Sequence, residues 1–279
     1  MNTSFPVIPA TSAGLPDRSA ANGDAVPARL HALVSVRDVA EVLQAAAAGV
    51  DTIDLKDPSD GALGGLPLPL IAEIVAALRL RAPGVSISAT VGDWPVQARA
   101  AILRRVDRVA ACGVDQVKVG IAAHTQATPD DAVALLDALA DHGRVGGERP
   151  DRGSAQGSAI GPMVVPMVVP VLIADHGIPD ALVDAVRRGG FVAVMLDTAD
   201  KRGGSLLQRR PAAELAARVA ALRAPGTRVG LAGALMPSDI PALRALAPDY
   251  AGFRSAVCAG DRRLGLDAGR LRALLAALA

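Results

Sequence analysis

From residue 30 onward, short β-branched apolar runs alternate with longer stretches rich in Ala, Leu and Arg. The runs have the length and composition of buried strands, and the longer stretches, set off by turn residues, have those of helices. The pattern predicts strands at 30–35, 50–56, 85–91, 114–119, 168–174, 191–196, 229–232 and 250–254. It predicts helices near 37–48, 68–81, 96–112, 129–141, 179–188, 210–223, 238–246 and 267–278.

Eight consecutive strand–helix units over about 250 residues are the usual content of a TIM barrel. We therefore predict an α/β fold consisting of a single (β/α)8 TIM barrel. An open, doubly wound sheet shows the same alternation, but its dinucleotide-binding members carry GxGxxG after the first strand, and this chain has none there. Eight evenly repeated units favour closure into a barrel.

Two segments depart from the alternation. Residues 1–29 are rich in Ala, Pro, Ser, Asn and Gly without a helical or strand period, which predicts a disordered N-terminal extension. Residues 143–162 form a Gly- and Pro-rich insert after the fourth predicted helix. We expect the insert to be a surface loop, with a lid or a subunit contact as the alternative. The catalytic barrel is then 30–279.

The composition narrows the classes of function. The net charge is +1 and 2% of residues are aromatic, so the chain lacks a basic surface for nucleic acid and aromatic side chains to stack on bases. No run reaches the roughly 18 apolar residues of a membrane span, and no apolar signal follows a basic N-terminus. Cys112 and Cys258 lack metal-site spacing. We expect a cytoplasmic homo-oligomer with reduced cysteines, a small-molecule substrate, no metal or other cofactor, and no nucleic-acid or membrane partner.

The lysines are the most informative residues. Lys and Arg total 29, yet only Lys56, Lys118 and Lys201 are lysines. Arginine stays protonated in proteins whereas lysine can lose its proton, so a lysine retained in an arginine-rich chain is a candidate for chemistry. All three lie at or just beyond the C-terminal ends of predicted strands, where the active sites of TIM barrels form.

Strand periodicity brings two aspartates to the same place. Asp54 and Lys56 are two residues apart, so both point into the barrel, as does Lys118 from the fourth strand. Asp197 ends the sixth strand, four residues before Lys201. A lysine with a lowered pKa can attack a carbonyl, and a carboxylate can move protons. Structural ion pairs between these lysines and aspartates are the alternative.

Phosphate-binding candidates follow the last two strands. Gly233 ends the seventh strand, and Arg254 and Ser255 end the eighth. Loops after strands seven and eight of many barrels bind phosphate, and an arginine there adds charge-assisted hydrogen bonds. An ordinary tight turn between strand and helix is the alternative. Ser88 and Thr90 of the third strand share its inner side and are further substrate-binding candidates.

Six segments together carry a family resemblance: IDLKDPSDGALGG (53–65), SATVGD (88–93), VDQVKVG (114–120), AVMLDTADK (193–201), GLAGAL (230–235) and FRSAVCAGDR (253–262). In this order they resemble the (5-formylfuran-3-yl)methyl phosphate synthases, also called 4-(hydroxymethyl)-2-furancarboxaldehyde-phosphate synthases. The resemblance runs from about residue 30 to the end. It implies a TIM-barrel lyase that condenses two molecules of glyceraldehyde 3-phosphate into a furan phosphate, with loss of phosphate and water, in methanofuran biosynthesis.

The resemblance also implies roles for single residues. Lys56 would be the Schiff-base lysine with Asp54 beside it, and Lys118, Asp197 and Lys201 would be the other catalytic positions. The extension and the insert depart from the compact pattern of the family. Other functions remain open on the same scaffold: a Schiff-base (class I) aldolase, a sugar-phosphate isomerase, or a non-catalytic barrel that binds a phosphate ligand.

Overall fold

The chain folds into a closed parallel barrel whose eight strands follow one another in sequence order. The structure is a computed structural model that describes residues 29–121, 127–147, 167–223 and 226–279. Each strand overlaps one of the eight predicted strands, so the (β/α)8 TIM barrel is confirmed. The strands are β1 (His31–Val36), β2 (Thr52–Leu55), β3 (Ser86–Thr90), β4 (Gln116–Ile121), β5 (Met167–Ile173), β6 (Ala193–Asp197), β7 (Arg228–Leu231) and β8 (Tyr250–Phe253).

Helices connect the strands on the outside of the barrel. Eight of them overlap predicted helices, and one short helix after β6 was not predicted, because four residues are too few to show a period. The helices are α1 (Val39–Ala47), α2 (Leu68–Arg81), α3 (Arg99–Ala110), α4 (Pro129–Gly147), α5 (Asp180–Gly189), α6 (Leu206–Arg209), α7 (Ala212–Arg223), α8 (Ile240–Leu246) and α9 (Ala268–Leu278). Short 3-10 helices occupy Pro237–Asp239 and Ser255–Val257.

Helix α4 corrects one predicted boundary. It extends to Gly147, so residues 143–147 are helical and do not begin an insert. The remainder of that insert, 148–162, and residues 1–28 of the predicted extension lie outside the described residues. In the part of the chain that the structure describes, no helix combines the length and the apolar character needed to cross a membrane.

Strand periodicity separates two cores. Ile53 and Leu55 face outward and join the large cluster between the strands and the helices, whereas Asp54 lies between them on the inner face. A smaller cluster fills the barrel itself and includes Leu33, Val171, Met195, Ala232 and, from the loop after β2, Ala62 and Leu63. The polar side chains at the mouth of the barrel therefore pack against an apolar cluster inside it.

Candidate active site

A cavity at the C-terminal mouth of the barrel collects all five predicted catalytic residues. Its empty space, counting the solvent at the open mouth, is about 460 Å³. The structure thus brings together residues that are up to 147 positions apart in the sequence, at the end of the barrel that carries active sites in this fold. They are Asp54, Lys56, Lys118, Asp197 and Lys201.

Asp54 and Lys118 form a buried ion pair. Nζ of Lys118 lies 2.9 Å from Oδ1 of Asp54, and the two residues are 2% exposed. The hydroxyl of Ser88 donates to Oδ1 over 2.7 Å, and that of Ser35 donates to Oδ2 over 2.9 Å. Asp54 therefore accepts three hydrogen bonds that fix its orientation, and its orientation in turn fixes the ammonium of Lys118.

The second carboxylate stands between the other two lysines. Asp197 accepts hydrogen bonds at Oδ1 from Nζ of Lys201 and from the backbone N–H of Thr198. Its other oxygen, Oδ2, lies 3.7 Å from Nζ of Lys56, which is too long for a hydrogen bond. Within the described residues, Lys56 is thus the lysine of this cluster whose amine is not hydrogen-bonded to a carboxylate.

Burial and the neighbouring opposite charges act in opposite directions on the pKa of each of these groups. Burial alone would raise the pKa of Asp54, but the ammonium groups of Lys118 and Lys56 outweigh it and place the pKa below its usual value. Asp197 behaves likewise, through Lys201 and Lys56. Burial lowers the pKa of Lys118 against the attraction of Asp54, and it lowers the pKa of Lys201 to about 8 against that of Asp197. Both carboxylates are therefore ionised at neutral pH, and the ammonium of Lys201, with its pKa of about 8, loses its proton only slightly above neutral pH.

The loop that carries Lys201 is held from the preceding βα unit. Asp175 accepts hydrogen bonds from the backbone N–H groups of Ala199 and Asp200, over 2.5 and 3.2 Å. The guanidinium of Arg209 bridges the carboxylates of Asp175 and Asp200. These contacts fix the chain between β6 and α6, which keeps Lys201 against Asp197.

The loop after β2 closes one side of the cavity with an apolar wall. Leu63 lines the cavity and is 2% exposed. Its backbone N–H donates to the carboxylate of Asp93, and the carbonyl of the next residue, Gly64, accepts from the hydroxyl of Thr90 over 2.8 Å. Thr90 is fully buried and lies outside the cavity lining, so the structure does not bring this predicted substrate-binding residue to the cavity.

Ser88, the other candidate of the third strand, also lies outside the cavity lining. It is also fully buried, and its hydroxyl is used by Asp54. Gly233 and Ser255 do line the cavity. Gly233 has a φ of +104°, and a Cβ there would lie 2.9 Å from Thr198, so both the backbone conformation and the space require glycine.

Arg254 has a different role from the predicted one. Its guanidinium is buried and forms a two-point ion pair with Glu41 of α1, at 2.5 and 3.1 Å. Its remaining N–H groups donate to the backbone carbonyls of Ser35, Arg262 and Leu264, over 2.8 to 3.0 Å. An arginine has five N–H donors, and all five are used, so none is left for a substrate phosphate.

Sequence reasoning did not name several residues of the lining, and the two that lie in loops and matter most for the site are Arg262 and Leu63. Both belong to segments that carry the resemblance, FRSAVCAGDR and IDLKDPSDGALGG, and lie in them after the strand has ended. The alternation of inner and outer side chains ends with the strand, so it could not identify these two loop residues. Their place in the segments shared with the family was the signal that could have identified them. Among the described residues, no group of three His, Cys, Asp or Glu side chains could hold a metal ion.

Comparison with known proteins shows which family this chain belongs to. Residues 32–275 match the family model described as 4-HFC-P synthase. A (5-formylfuran-3-yl)methyl phosphate synthase from Archaeoglobus fulgidus is 31% identical, over 84% of this chain and 92% of its own length. A relative from Methylorubrum extorquens, provisionally given the same synthase name, is 38% identical over 88% of this chain and 89% of its own length.

Solved structures repeat the fold at low identity. Phosphoribosyl anthranilate isomerase from Thermus thermophilus superposes with a TM-score of 0.56 at 18% identity, covering 89% of this chain and 98% of its own. Deoxyribose phosphate aldolase from Aeropyrum pernix gives a TM-score of 0.54 at 15% identity, covering 83% and 87%. At these identities the likeness extends to the fold alone.

Proposed function

Because this chain belongs to the 4-HFC-P synthase family, we propose that it condenses two molecules of glyceraldehyde 3-phosphate into (5-formylfuran-3-yl)methyl phosphate. The balanced reaction releases one phosphate and two molecules of water. It makes the enzyme a carbon–oxygen lyase acting on phosphates, in the cytoplasmic route to methanofuran. The reaction is carried by side chains and begins with a Schiff base on Lys56.

The different pairing of the three lysines supports Lys56 as the nucleophile. A lysine attacks a carbonyl through the lone pair of its neutral amine. A hydrogen bond to a carboxylate favours the protonated amine, which has no lone pair. Lys118 and Lys201 each make such a bond, whereas Nζ of Lys56 stands 3.7 Å from its nearest carboxylate oxygen. Its amine adds to the C1 carbonyl of one triose phosphate, and loss of water gives the imine.

Asp197 is placed to move the protons of the following steps. The protonated imine withdraws electrons from C2, so the C2 proton becomes acidic. Oδ2 of Asp197 faces Nζ of Lys56 while Oδ1 is held by Lys201, which leaves Oδ2 to take that proton and return it to a departing hydroxyl. The carbanion forms the carbon–carbon bond to the second triose phosphate. Loss of phosphate, of the second water and of the Lys56 amine, which leaves C1 with the proton it needs, then gives the free aromatic furan.

The other charged groups stabilise negative charge. Asp54 accepts three hydrogen bonds, so it orients the ammonium of Lys118 toward the cavity. Lys118 and Lys201 then stabilise the developing oxyanion and the departing phosphate. Leu63 and Met195 supply an apolar wall that suits a flat, dehydrated ring and excludes water from the imine.

The first experiment measures products and the covalent intermediate together. We expect the enzyme, incubated with glyceraldehyde 3-phosphate, to release one mole of inorganic phosphate for each mole of furan formed, with the furan measured by its absorbance. Borohydride added during turnover should reduce the imine, and peptide mapping should find the adduct on Lys56. Lys56→Arg keeps the charge but forms no imine at neutral pH, so both adduct and turnover should be lost. Lys201→Arg is the matched control and should still give the adduct.

Other results of this experiment would indicate a different nucleophile or a different function. An adduct on Lys118 or Lys201 would exchange the nucleophile and the helper. Full activity of Lys56→Arg would refute the Schiff base. Carbon–carbon bond formation without phosphate release would indicate an aldolase, and binding without turnover would indicate a ligand-binding barrel.

A further inference from the structure

Two arginines of the loop between β8 and α9 line the mouth cavity, and they differ in how their charges are used. Arg254 spends every N–H donor on Glu41 and on backbone carbonyls. Arg262 is half-buried and lines the same cavity. Within the described part of the chain, its guanidinium forms no salt bridge and donates no hydrogen bond, and its carbonyl accepts one from Arg254. Arg262 is therefore a cation that presents unused N–H groups at the mouth.

The loop that carries Arg262 is built to hold it in place. Arg254 donates to the carbonyls of Arg262 and Leu264, over 2.8 Å each. The two ends of the loop are joined by a bridge between Cys258 and Leu266, and the backbone N–H of Ala259 donates to the carbonyl of Gly265 over 3.1 Å. Arg262 thus sits on a closed loop whose position depends on the ion pair of Arg254 with α1.

The charged side chains of the cavity carry a net positive charge, which favours the binding of an anion. Arg254 is neutralised by Glu41. The other charged side chains of the lining are four cations and two carboxylates, an excess of two positive charges when all are ionised, and they are Lys56, Lys118, Lys201, Arg262, Asp54 and Asp197. The two carboxylates are already engaged by lysines. A phosphate monoester, with close to two negative charges at neutral pH, matches this excess.

We propose that Arg262 binds a phosphate group of the substrate, and that Arg254, held by Glu41, is a positioning residue for it. A guanidinium offers two parallel N–H donors to phosphate oxygens and stays protonated throughout a reaction in which lysines exchange protons. The identity of the ester as a triose phosphate rests on the proposed function. The binding of a phosphate monoester at Arg262 does not.

The test uses glycerol 3-phosphate, which has no carbonyl and so binds without forming an imine. Calorimetric titration of the wild-type enzyme, Arg262→Gln, Arg262→Lys and Arg263→Gln compares the affinities. Loss of charged hydrogen bonds should weaken binding roughly 10- to 100-fold in Arg262→Gln, with partial recovery in Arg262→Lys. Arg263 is the matched control, because its side chain is 68% exposed and pairs with Asp261, and its variant should bind as the wild type does. Equal affinity of Arg262→Gln and wild type would overturn the phosphate role.

A double-mutant cycle tests the positioning role. Glu41→Gln should weaken glycerol 3-phosphate binding and raise KM for the triose phosphate more than it lowers kcat. The double variant of Glu41→Gln with Arg262→Gln should bind no more weakly than Arg262→Gln alone, because the ion pair acts through Arg262. Additive losses would overturn the role of Arg254 as a positioning residue.

These binding data remain informative if the proposed function fails. Absence of phosphate release from glyceraldehyde 3-phosphate by the wild type would refute the furan synthase, while the glycerol 3-phosphate titration would still decide the role of Arg262. Thermal unfolding of each variant shows whether it is folded, and recovery in Arg262→Lys excludes a loss through misfolding. No measurable binding of glycerol 3-phosphate to the wild type would overturn the site.

Discussion

The ion pair of Lys118 with Asp54 makes a quantitative prediction about stability. The charges are 2.9 Å apart and both residues are 2% exposed, so their attraction at an effective dielectric constant of about 20 is about 6 kcal/mol. Lys118→Met keeps most of the side-chain volume but leaves the carboxylate with the hydroxyls of Ser35 and Ser88 as its hydrogen-bond donors and with the more distant charge of Lys56. We expect the free energy of unfolding to fall by about 3–5 kcal/mol at neutral pH.

The pH dependence of this loss has a definite sign. In the wild type the folded-state pKa of Asp54 is lowered, so its stabilising contribution is present above the unfolded pKa of about 4 and disappears as the pH falls through the folded pKa. In Lys118→Met, burial acts on Asp54 without that ammonium and should raise its pKa. Folding of the variant then takes up a proton, and the penalty shrinks as the pH falls. The two proteins should therefore differ less at about pH 5 than at about pH 7.

Urea unfolding followed by circular dichroism at both pH values measures this difference. The control is the double variant Asp54→Asn with Lys118→Met, which removes both charges and should regain much of the lost stability. A loss below about 1 kcal/mol at neutral pH would refute the reasoning, since that is the value of an exposed pair. So would a difference that does not narrow on acidification.

Two further predictions concern single residues at the mouth. Lys201 has its pKa lowered to about 8; if its ammonium binds phosphate, kcat/KM should decline above about pH 8, and Lys201→Arg should lose this decline because guanidinium does not titrate there. A decline that persists in the variant would assign it to another group. Gly233→Ala places a Cβ 2.9 Å from Thr198 at a φ of +104°, and should cost about 1–3 kcal/mol of stability with reduced turnover. Gly84→Ala, where a Cβ meets nothing within 4 Å, is the control, and equal melting temperatures of the two variants would contradict the strain.

The sequence by itself determined the barrel and the inner face of its strands. Side chains alternate along a strand whatever surrounds them, so Asp54 and Lys56 had to share the inner side, with Leu55 in the outer core. The parallel strands all end at one mouth, which brought Lys118 and Asp197 to the same cavity. Both rules are local or depend only on fold class, so they could be applied before any contact was known.

The loops between strands and helices were beyond this reasoning. The four-residue helix α6 and the extension of α4 to Gly147 are not marked by a strand or helix period long enough to read. Leu63 reaches the cavity because Asp93, thirty positions later, accepts a hydrogen bond from its backbone. A loop conformation set by a distant side chain is invisible to periodicity.

The tertiary structure alone decided which charges meet. Strand register places Asp54 opposite Ser88, and Lys118 opposite Thr90, and within that frame Lys118 reaches Asp54 while Lys201 takes Asp197. The two arginines of FRSAVCAGDR are equally good phosphate ligands in the sequence. Glu41, 213 positions away, neutralises Arg254 and leaves Arg262 at the mouth. Ion-pair partners depend on register and on the path of the chain around the barrel, and no local pattern encodes either.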